Sequence, residues 1–418
     1  MIYDLLDLYD VKSGMGNKSR NDFDPNKYEN QIVMFKEIFN NSKLPDKNKL
    51  STTVNLKQGE LERFDVKFGD VLLTSSSETP NELAMSSVAL RDYPNTVYSG
   101  FSKRLRPITH LTNPQYMRYW FRSRQFRDYI DSTVSMTTRA NLNMAILSAI
   151  KIDLPDLNTQ KAIANILSSL DDKIELNNKI NKNLEELAQT LYKRWFVDFE
   201  FPNENGEPYK SSGGEMVESE LGLIPKGWEI SNLLDIADYL NGLAVKKFAA
   251  NDDELSLPVL KIKELGIGNV TAESDRCNLS VPEKYIIKKG DLIFSWSGTL
   301  LVDFWTGSKS VLNQHLFKVS STKYPRWFYY FWTKYHLGKF QNIAKSMATT
   351  MGHIKREDLT KSQVFIPTKD LLEQGSGIFE PIIDQILKLR IQNNKLMKVR
   401  DELLPKLMNG EIEVPIEE

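Results

Sequence analysis

Two stretches of the chain carry apolar residues at every third or fourth position over many turns, a pattern typical of long helices that pair along one face. The first predicts a helix from Thr159 to Asp198 with Asn158 as its N-cap, about 60 Å long at about 1.5 Å per residue. The second contains Pro381, which suits a first helical position, and Pro405, which is expected to bend or end the last turns. The expected pairing residues are Leu170, Ile174, Leu184 and Leu187 in the first stretch and Leu389, Leu396 and Leu403 in the second.

An asparagine interrupts each apolar stripe, at Asn177 and at Asn393. The two long apolar faces must be shielded from water. Because their apolar patterns match, each helix is the expected partner of the other. Because a compact domain lies between them in the sequence, the two helices are expected to pair antiparallel within one chain. A buried asparagine at such a seam costs stability but disfavours wrong registers. Both asparagines are therefore candidate register markers, and the alternative is that both face solvent at a loose point of the seam.

The region before each long helix contains short apolar runs between turn residues, such as GDVLLTS from Gly69 and GDLIFSWS from Gly290, and these predict strands. The two regions also match in order, for example LLDLYDVKSG from Leu5 with LLDIADYLNG from Leu233. Such a repeat decides the architecture. The predicted fold class is α+β, with two similar, mainly β or α+β domains separated by two long antiparallel, coiled-coil-like helices and related by a pseudo-twofold axis.

The repeat gives domain boundaries. The expected domains are residues 1–157 and 223–368, and the expected helical segments are 158–198 and 369–418, the latter with a C-terminal tail. Residues 199–222 are expected to form an exposed acidic linker, because six glutamates from Glu200 to Glu220 stand against one lysine, Lys210.

Bulk composition narrows the class of protein. The chain has 418 residues, a net charge of −1, four histidines and one cysteine, Cys277, which excludes a disulfide framework and leaves little material for a zinc site. The first ten residues have no basic segment, and no uncharged apolar run approaches 20 residues. A cytoplasmic protein without a membrane span is expected.

Positive charge is concentrated in two windows without acidic residues, between Asp92 and Asp128 and between Asp303 and Glu357. One such window is usually only a solvated face, but two at equivalent repeat positions favour a phosphate-binding surface on each domain. The expected DNA-contacting cations are Lys103, Arg104, Arg106, Arg122, Arg124, Lys309, Lys355 and Arg356. Replacing Arg104 or Lys355 by alanine is expected to weaken DNA binding.

Nearby side chains that pair donors with acceptors, or that can donate to base edges, are candidates for base reading. They are Arg139, Asn141 and Asn143 in the first copy and Asn313, Gln314, His315 and His353 in the second. These residue types differ between the copies, as expected of two readers of different base sequences. The aromatic residues of the same windows are expected in the core instead; they are Tyr119, Trp120, Phe121, Trp327, Phe328, Phe331 and Trp332.

No catalytic, cofactor-binding or metal-ligating set emerges. NPQY from Asn113 is similar to a methyltransferase tetrapeptide but lacks its second proline and any glycine-rich loop upstream. Asp65 and Lys67 imitate part of a nuclease pattern that the second copy lacks. The histidines have no ligand spacing.

Nearly the whole chain resembles the specificity subunits of type I restriction-modification systems. The most specific pieces are LPDLNTQKAIANILSSLDDKIELNNKINKNLEELAQTLYKRWFVDFEFP and ESELGLIPKGWE. The resemblance implies that residues 5–155 and 224–367 each recognise half of a split double-stranded DNA site and that the helices set the spacing. It also implies two modification subunits that methylate flipped adenine with S-adenosylmethionine, and ATP- and Mg-dependent restriction subunits. The first copy lacks the IPKGW that opens the second.

Two other classes of protein compete with this interpretation. One is a coiled-coil scaffold that does not bind DNA, against which the paired basic windows argue. The other is a self-sufficient restriction enzyme, which the missing catalytic and cofactor motifs oppose.

Overall fold

The structure is a computed structural model that describes residues 1–16, 18–24, 27–133, 140–251, 254–347 and 352–415. It divides into two compact units, which we call unit 1 (residues 1–172 and 397–418) and unit 2 (residues 173–396). Unit 1 is therefore discontinuous in sequence. Each long helix contributes one part to each unit.

The strands of unit 1 are short. They are β1 (Ile2–Asp4), β2 (Tyr9–Ser13), β3 (Phe23–Asp24), β4 (Asn30–Val33), β5 (Thr53–Val54), β6 (Asp65–Val66), β7 (Val71–Thr74), β8 (Ser76–Ser77), β9 (Ser86–Val88), β10 (Tyr93–Tyr98), β11 (Ser102–Pro107), β12 (Ala140–Asn141) and β13 (Lys151–Asp153). The helices are α1 (Leu5–Leu8), α2 (Phe35–Asn40), α3 (Glu60–Phe64), α4 (Pro114–Trp120), α5 (Arg124–Thr133), α6 (Met144–Ser148) and the first part of α7 (Leu157–Phe196).

Two sheets organise unit 1, with strand orders β2-β11-β7-β9 and β3-β5-β4-β10-β6. The largest core of unit 1 lies between the first sheet and helices α4 and α5, where Val71, Leu105 and Trp120 are buried. Leu407, from the far end of the chain, is 2 % exposed in the same core. The last residues of the second long helix therefore complete unit 1.

The strands of unit 2 are β14 (Met216–Ser219), β15 (Gly222–Pro225), β16 (Glu229–Asn232), β17 (Asp238–Asn241), β18 (Ser256–Leu260), β19 (Arg276–Asn278), β20 (Ile286–Ile287), β21 (Leu292–Ser295), β22 (Val302–Phe304), β23 (Ser310–Leu312), β24 (Leu316–Ser320) and β25 (Gln363–Ile366). The helices are α8 (Leu233–Ile236), α9 (Ile262–Ile267), α10 (Arg326–Ser346), α11 (Arg356–Thr360) and most of α12 (Lys369–Met408).

Unit 2 repeats the plan of unit 1. Its sheet order β17-β24-β21-β22 corresponds to β2-β11-β7-β9, and a parallel pair, β18 with β23, corresponds to β4 with β10. The aromatic residues expected in the core are buried in both units, for example Trp120 and Trp327. The predicted fold class, two similar mixed domains and a long helix between them in sequence, is confirmed.

The long helices begin and end elsewhere than the sequence indicated. Helix α7 begins at Leu157 because Asp156, not Asn158, is the cap: its Oδ1 accepts hydrogen bonds from the backbone N–H groups of Asn158 (2.9 Å) and Thr159 (3.1 Å). Pro381 does not start α12, which begins at Lys369 and continues past both prolines. Phe379 and Ile383 are buried on either side of Pro381, and this packing stabilises the helix despite the missing N–H.

The helices pair antiparallel within each unit. In unit 2 Asn177 lies against Asn393 and Tyr192 against Phe379, and in unit 1 Asp171 contacts Arg400. Leu389 is buried, whereas Leu170, Ile174, Leu184, Leu396 and Leu403 are half-buried. Leu187 is 58 % exposed, so its expected pairing role is wrong. Ala188 takes that buried position because it lies four residues after Leu184 on the same helix face.

Residues 199–222 are partly buried, in contrast to the expected exposed linker. Phe199 and Phe201 are buried, and the Phe201 ring stacks on Tyr209 with centroids 4.5 Å apart. Strand β14 of this segment pairs as a hairpin with β15, which begins at the segment's last residue, Gly222. The glutamates conceal these apolar anchors in the sequence, although most of the charged side chains are exposed as expected.

Candidate nucleic-acid interface

Three strand ends meet at one edge of the β17-β24-β21-β22 sheet of unit 2. Strands β17 and β21 end there and β24 begins there, because the register pairs Asn241 with Phe317 and Ser295 with Leu316. We call the residues around this edge the unit 2 rim. They are Asn241, Trp296, Ser297, Asn313, Gln314, His315 and His353.

Trp296 lies at the centre of the unit 2 rim. Its indole Nε1 donates a hydrogen bond to Asn241 Oδ1 at 3.0 Å. Its ring centroid is 5.9 Å from that of His315 and 6.3 Å from that of His353. The half-buried indole therefore holds two imidazoles from distant parts of the chain at one edge.

The polar atoms of the rim contact each other. Ser297 Oγ lies 3.0 Å from His315 Nδ1, and Gln314 Nε2 lies 3.3 Å from His315 Nε2. Asn313 Oδ1 accepts a hydrogen bond from the backbone N–H of His315 at 3.2 Å. The sequence candidates Asn313, Gln314, His315 and His353 are thus brought together at one place.

Unit 1 has a corresponding edge, where β2 and β7 end and β11 begins, because Ser13 pairs with Lys103 and Thr74 with Ser102. The residues of this unit 1 rim are Ser13, Ser75, Ser76, Ser99, Gly100, Phe101 and Asn141. Of the base-reading candidates of the first copy, Asn141 lies here.

One glycine in each unit permits the close approach of two chain segments. A Cβ on Gly14 would lie 1.9 Å from the carbonyl oxygen of Ser99, and a Cβ on Gly242 would lie 2.2 Å from that of Asn313. No other residue fits at either position without moving the backbone. These aligned glycines keep the rim backbone alike in the two units.

Two arginines of the first basic window are held by carboxylates of unit 1. Arg104 is 4 % exposed and pairs with Asp65 at 3.0 Å. Arg106 makes a bidentate pair with Asp70, at 2.8 and 2.7 Å, which raises the pKa of the guanidinium. The contacts of both side chains indicate a structural role, and Asp65 of the nuclease-like pattern belongs to the same cluster.

Arg122 is also held internally. Its guanidinium donates to the backbone carbonyls of Ile38, Phe39 and Ser86 at 2.6 to 3.0 Å. Burial lowers the pKa of Arg122 to about 10. The Arg122 side chain therefore joins helix α2 to strand β9 in unit 1.

The remaining candidates of the first copy are differently placed. Lys103 Nζ donates to Ser13 Oγ at 2.9 Å beside the rim, and partial burial lowers its pKa. The Arg124 side chain is 87 % exposed. Asn143 caps helix α6 by accepting from the Ile146 N–H, and Arg139 lies outside the described residues.

The candidate cations of the second basic window are all exposed. Lys309 and Lys355 are exposed. Arg356 is also exposed and donates to the backbone carbonyl of Tyr239 at 3.3 Å. Lys355 and Arg356 lie two and three residues after His353 in sequence, so exposed cations stand near the unit 2 rim.

Sequence reasoning missed Phe101 and Ser297 and left Trp296 unassigned. Phe101 is 53 % exposed at the unit 1 rim. The repeat was the available signal, since extending the match between the copies through their aligned glycines and strands sets Phe101 opposite His315.

The described residues contain neither a metal-binding cluster nor a membrane-spanning helix. In the part of the chain that the structure describes, no group of three or more His, Cys, Asp or Glu side chains could hold a metal ion. Over the same residues no helix is both long and apolar enough to cross a membrane.

Two equivalent rims on one repeated frame, each with different side chains, define a class of duplicated recognition proteins. The chain belongs to the type I restriction modification DNA specificity domain family, whose model matches residues 2–186 and 225–396.

Known relatives agree with this assignment. The chain is 27 % identical over 352 residues to the type I restriction enzyme MjaIX specificity subunit of Methanocaldococcus jannaschii, covering 83 % of this chain and 78 % of the relative. It is 24 % identical over 379 residues to the HindI specificity subunit of Haemophilus influenzae, covering 77 % and 82 %. The crystal structure of a type I S subunit from M. genitalium has the same fold, with a TM-score of 0.57, 14 % identity and coverage of 100 % and 96 %.

Proposed function

We propose that this chain is the noncatalytic DNA sequence-recognition subunit of a type I restriction-modification complex and that each unit reads one half of a split duplex target through its rim. The observation that carries the proposal is the pair of rims: a member of a DNA specificity family presents different side chains at the same edge of two equivalent sheets. Base edges are read by such side chains, whereas exposed cations such as Lys355 contact phosphates.

The partners in this proposal are duplex DNA, two modification subunits and the restriction subunits. The long helices set the spacing between half-sites and bind the modification subunits. S-adenosylmethionine, ATP and Mg are used by those partners and not by this chain. The relatives support the assignment, since they are named specificity subunits of type I restriction enzymes.

Selection of duplexes from a random pool tests the proposal. The full chain, with and without its modification subunits, is titrated with the pool across a salt series. The expected result is a motif of two specified parts separated by unspecified bases, bound less tightly as salt rises. Absence of both enrichment and salt-dependent binding would favour a scaffold. Cleavage or methylation by the chain alone would contradict the noncatalytic assignment.

A further inference from the structure

The unit 1 rim is held by backbone hydrogen bonds. The N–H of Ser75 donates to the carbonyl of Phe101 at 2.8 Å, and the N–H of Leu142 donates to the carbonyl of Ser75 at 2.8 Å. Asn141 pairs with Ser76 in the short β8–β12 ladder. Main-chain hydrogen bonds therefore join three segments that are distant in sequence.

The unit 2 rim is held by the same set of bonds. The N–H of Trp296 donates to the carbonyl of His315 at 3.3 Å, and the N–H of Ile354 donates to the carbonyl of Trp296 at 3.0 Å. His353 pairs with Ser297 as Asn141 pairs with its partner in unit 1. His353 is thus the structural equivalent of Asn141, and His315 is the equivalent of Phe101.

The side chains at these equivalent positions have different chemistry. An asparagine amide offers one acceptor and two donors and an imidazole offers ring nitrogens, whereas a phenyl ring offers only an apolar face. Because the main chain makes the frame, these side chains can change without moving the backbone. A core role does not explain Phe101, whose side chain is 53 % exposed.

We infer that Asn141 in unit 1 and His353 in unit 2 are equivalent specificity-determining positions, each supported by a neighbouring reader, Phe101 or His315. This inference rests on the proposed function. The amide of Asn141 can pair with the two edge atoms of adenine, and the Phe101 ring can contact the methyl group of thymine. The His353 rim presents imidazole nitrogens to its own half-site instead.

Reciprocal substitution tests the inference. Asn141→His and His353→Asn are each made in the full chain, assembled with its modification subunits, and bound sequences are selected from a random duplex pool. Each variant is expected to change the selected bases in one half of the motif only, with the two variants affecting opposite halves. Affinity for the parent site should fall about 5- to 150-fold, while affinity for unrelated duplex stays within about twofold.

Matched control substitutions distinguish a change in base recognition from a loss of folding. His110→Asn makes the same chemical change at an exposed position away from the rim, and Gln363→Ala, on strand β25, is the exposed control for Gln314→Ala in unit 2. Both controls should select the parent motif. If His353→Asn does not fold, Gln314→Ala decides, since Gln314 is exposed at the same rim and its loss should relax the same half of the motif.

The outcomes distinguish the two proposals. If the parent chain selects a split motif and the folded rim variants select it unchanged, the inference is wrong and the proposed function stands. If the parent complex selects no motif, the proposed function fails and the inference fails with it. A change in both halves from one substitution would also overturn the assignment of one position to each unit.

Discussion

At the scale of single residues, cations of similar appearance in the sequence have different roles in the molecule. Arg104 and Arg106 neutralise carboxylates within unit 1, and Arg122 donates to carbonyls of helix α2 and strand β9. Lys355 instead presents an exposed ammonium group beside the unit 2 rim. Internal carboxylates and carbonyls hold the guanidinium groups of the first group within unit 1, so the exposed cations are the ones placed to attract phosphates.

Arg104→Ala is expected to destabilise unit 1 by about 2 to 4 kcal/mol, because it removes a buried charge from its partner Asp65. Arg124→Ala removes an exposed arginine and should change the free energy of unfolding by less than about 0.5 kcal/mol. Urea unfolding of the full chain measures both. Equal urea midpoints for the two variants would contradict the structural role of Arg104. A loss of DNA binding by Arg104→Ala would then be a direct effect of the missing side chain.

His336 predicts a pH dependence of stability. Burial lowers the pKa of this imidazole from 6.5 to about 4. The unfolded chain therefore binds the proton more tightly than the folded chain, and its contribution to stability, complete above about pH 6.5, is lost as the pH falls toward 4.

The slope from this one group is at most about 1.4 kcal/mol per pH unit. His336→Gln should flatten the dependence between pH 6.5 and 4, as measured by urea unfolding at several pH values. His110→Gln, at an exposed position, should leave the curve as it is. A parent-like curve for His336→Gln would show that other groups dominate.

At the scale of elements, amide side chains connect the paired helices in unit 2. Asn177 is fully buried and its Nδ2 donates to Asn393 Oδ1 at 2.8 Å and to Gln392 Oε1 at 2.9 Å. Asn393 Nδ2 donates in turn to Asn178 Oδ1 at 2.8 Å. The asparagines do not face solvent. Their effect on register remains a prediction that substitution can test.

Asn177→Leu is expected to cost about 1 to 3 kcal/mol, because it leaves the buried Oδ1 of Asn393 without its donor. The double variant Asn177→Leu, Asn393→Leu should cost less than the sum of the two single variants, since neither amide is then stranded. A double-mutant cycle by urea unfolding measures this coupling. Additive losses would mean that the two amides do not stabilise the helix pair through each other.

The repeat, the long helices and the unit 2 rim could be predicted from the sequence to different extents. Matching apolar and glycine positions were sufficient for the duplication, because both copies keep the same backbone frame. Asp156 as cap and the burial of Ala188 depend on the local phase of one helix, which a three-or-four spacing does not determine. Arg104 was misjudged because its partner Asp65 is distant in sequence, outside the window that contains no acidic residues.

At the scale of the whole molecule, net charge and local charge make different contributions to binding. With a net charge of −1, attraction to DNA must come from a few exposed cations. Lys355→Ala is expected to weaken binding to all duplexes alike and to reduce the slope of log affinity against log salt by about 1. Fluorescence anisotropy across a salt series measures this, and Lys369→Ala, another exposed lysine of unit 2, should leave the slope unchanged. An unaltered slope for Lys355→Ala would mean that the phosphate contacts do not lie at this rim.

The discontinuous composition of unit 1 has a consequence for how the chain is made. Leu407 belongs to the core of unit 1, although it follows all of unit 2 in sequence. As the ribosome extends the polypeptide, the earlier part of unit 1 emerges first, yet its apolar surface stays open until the last helical turns are released. The half of the protein that is synthesised first is therefore the half that finishes folding last, and nascent chains stalled before Leu407 should depend on chaperones.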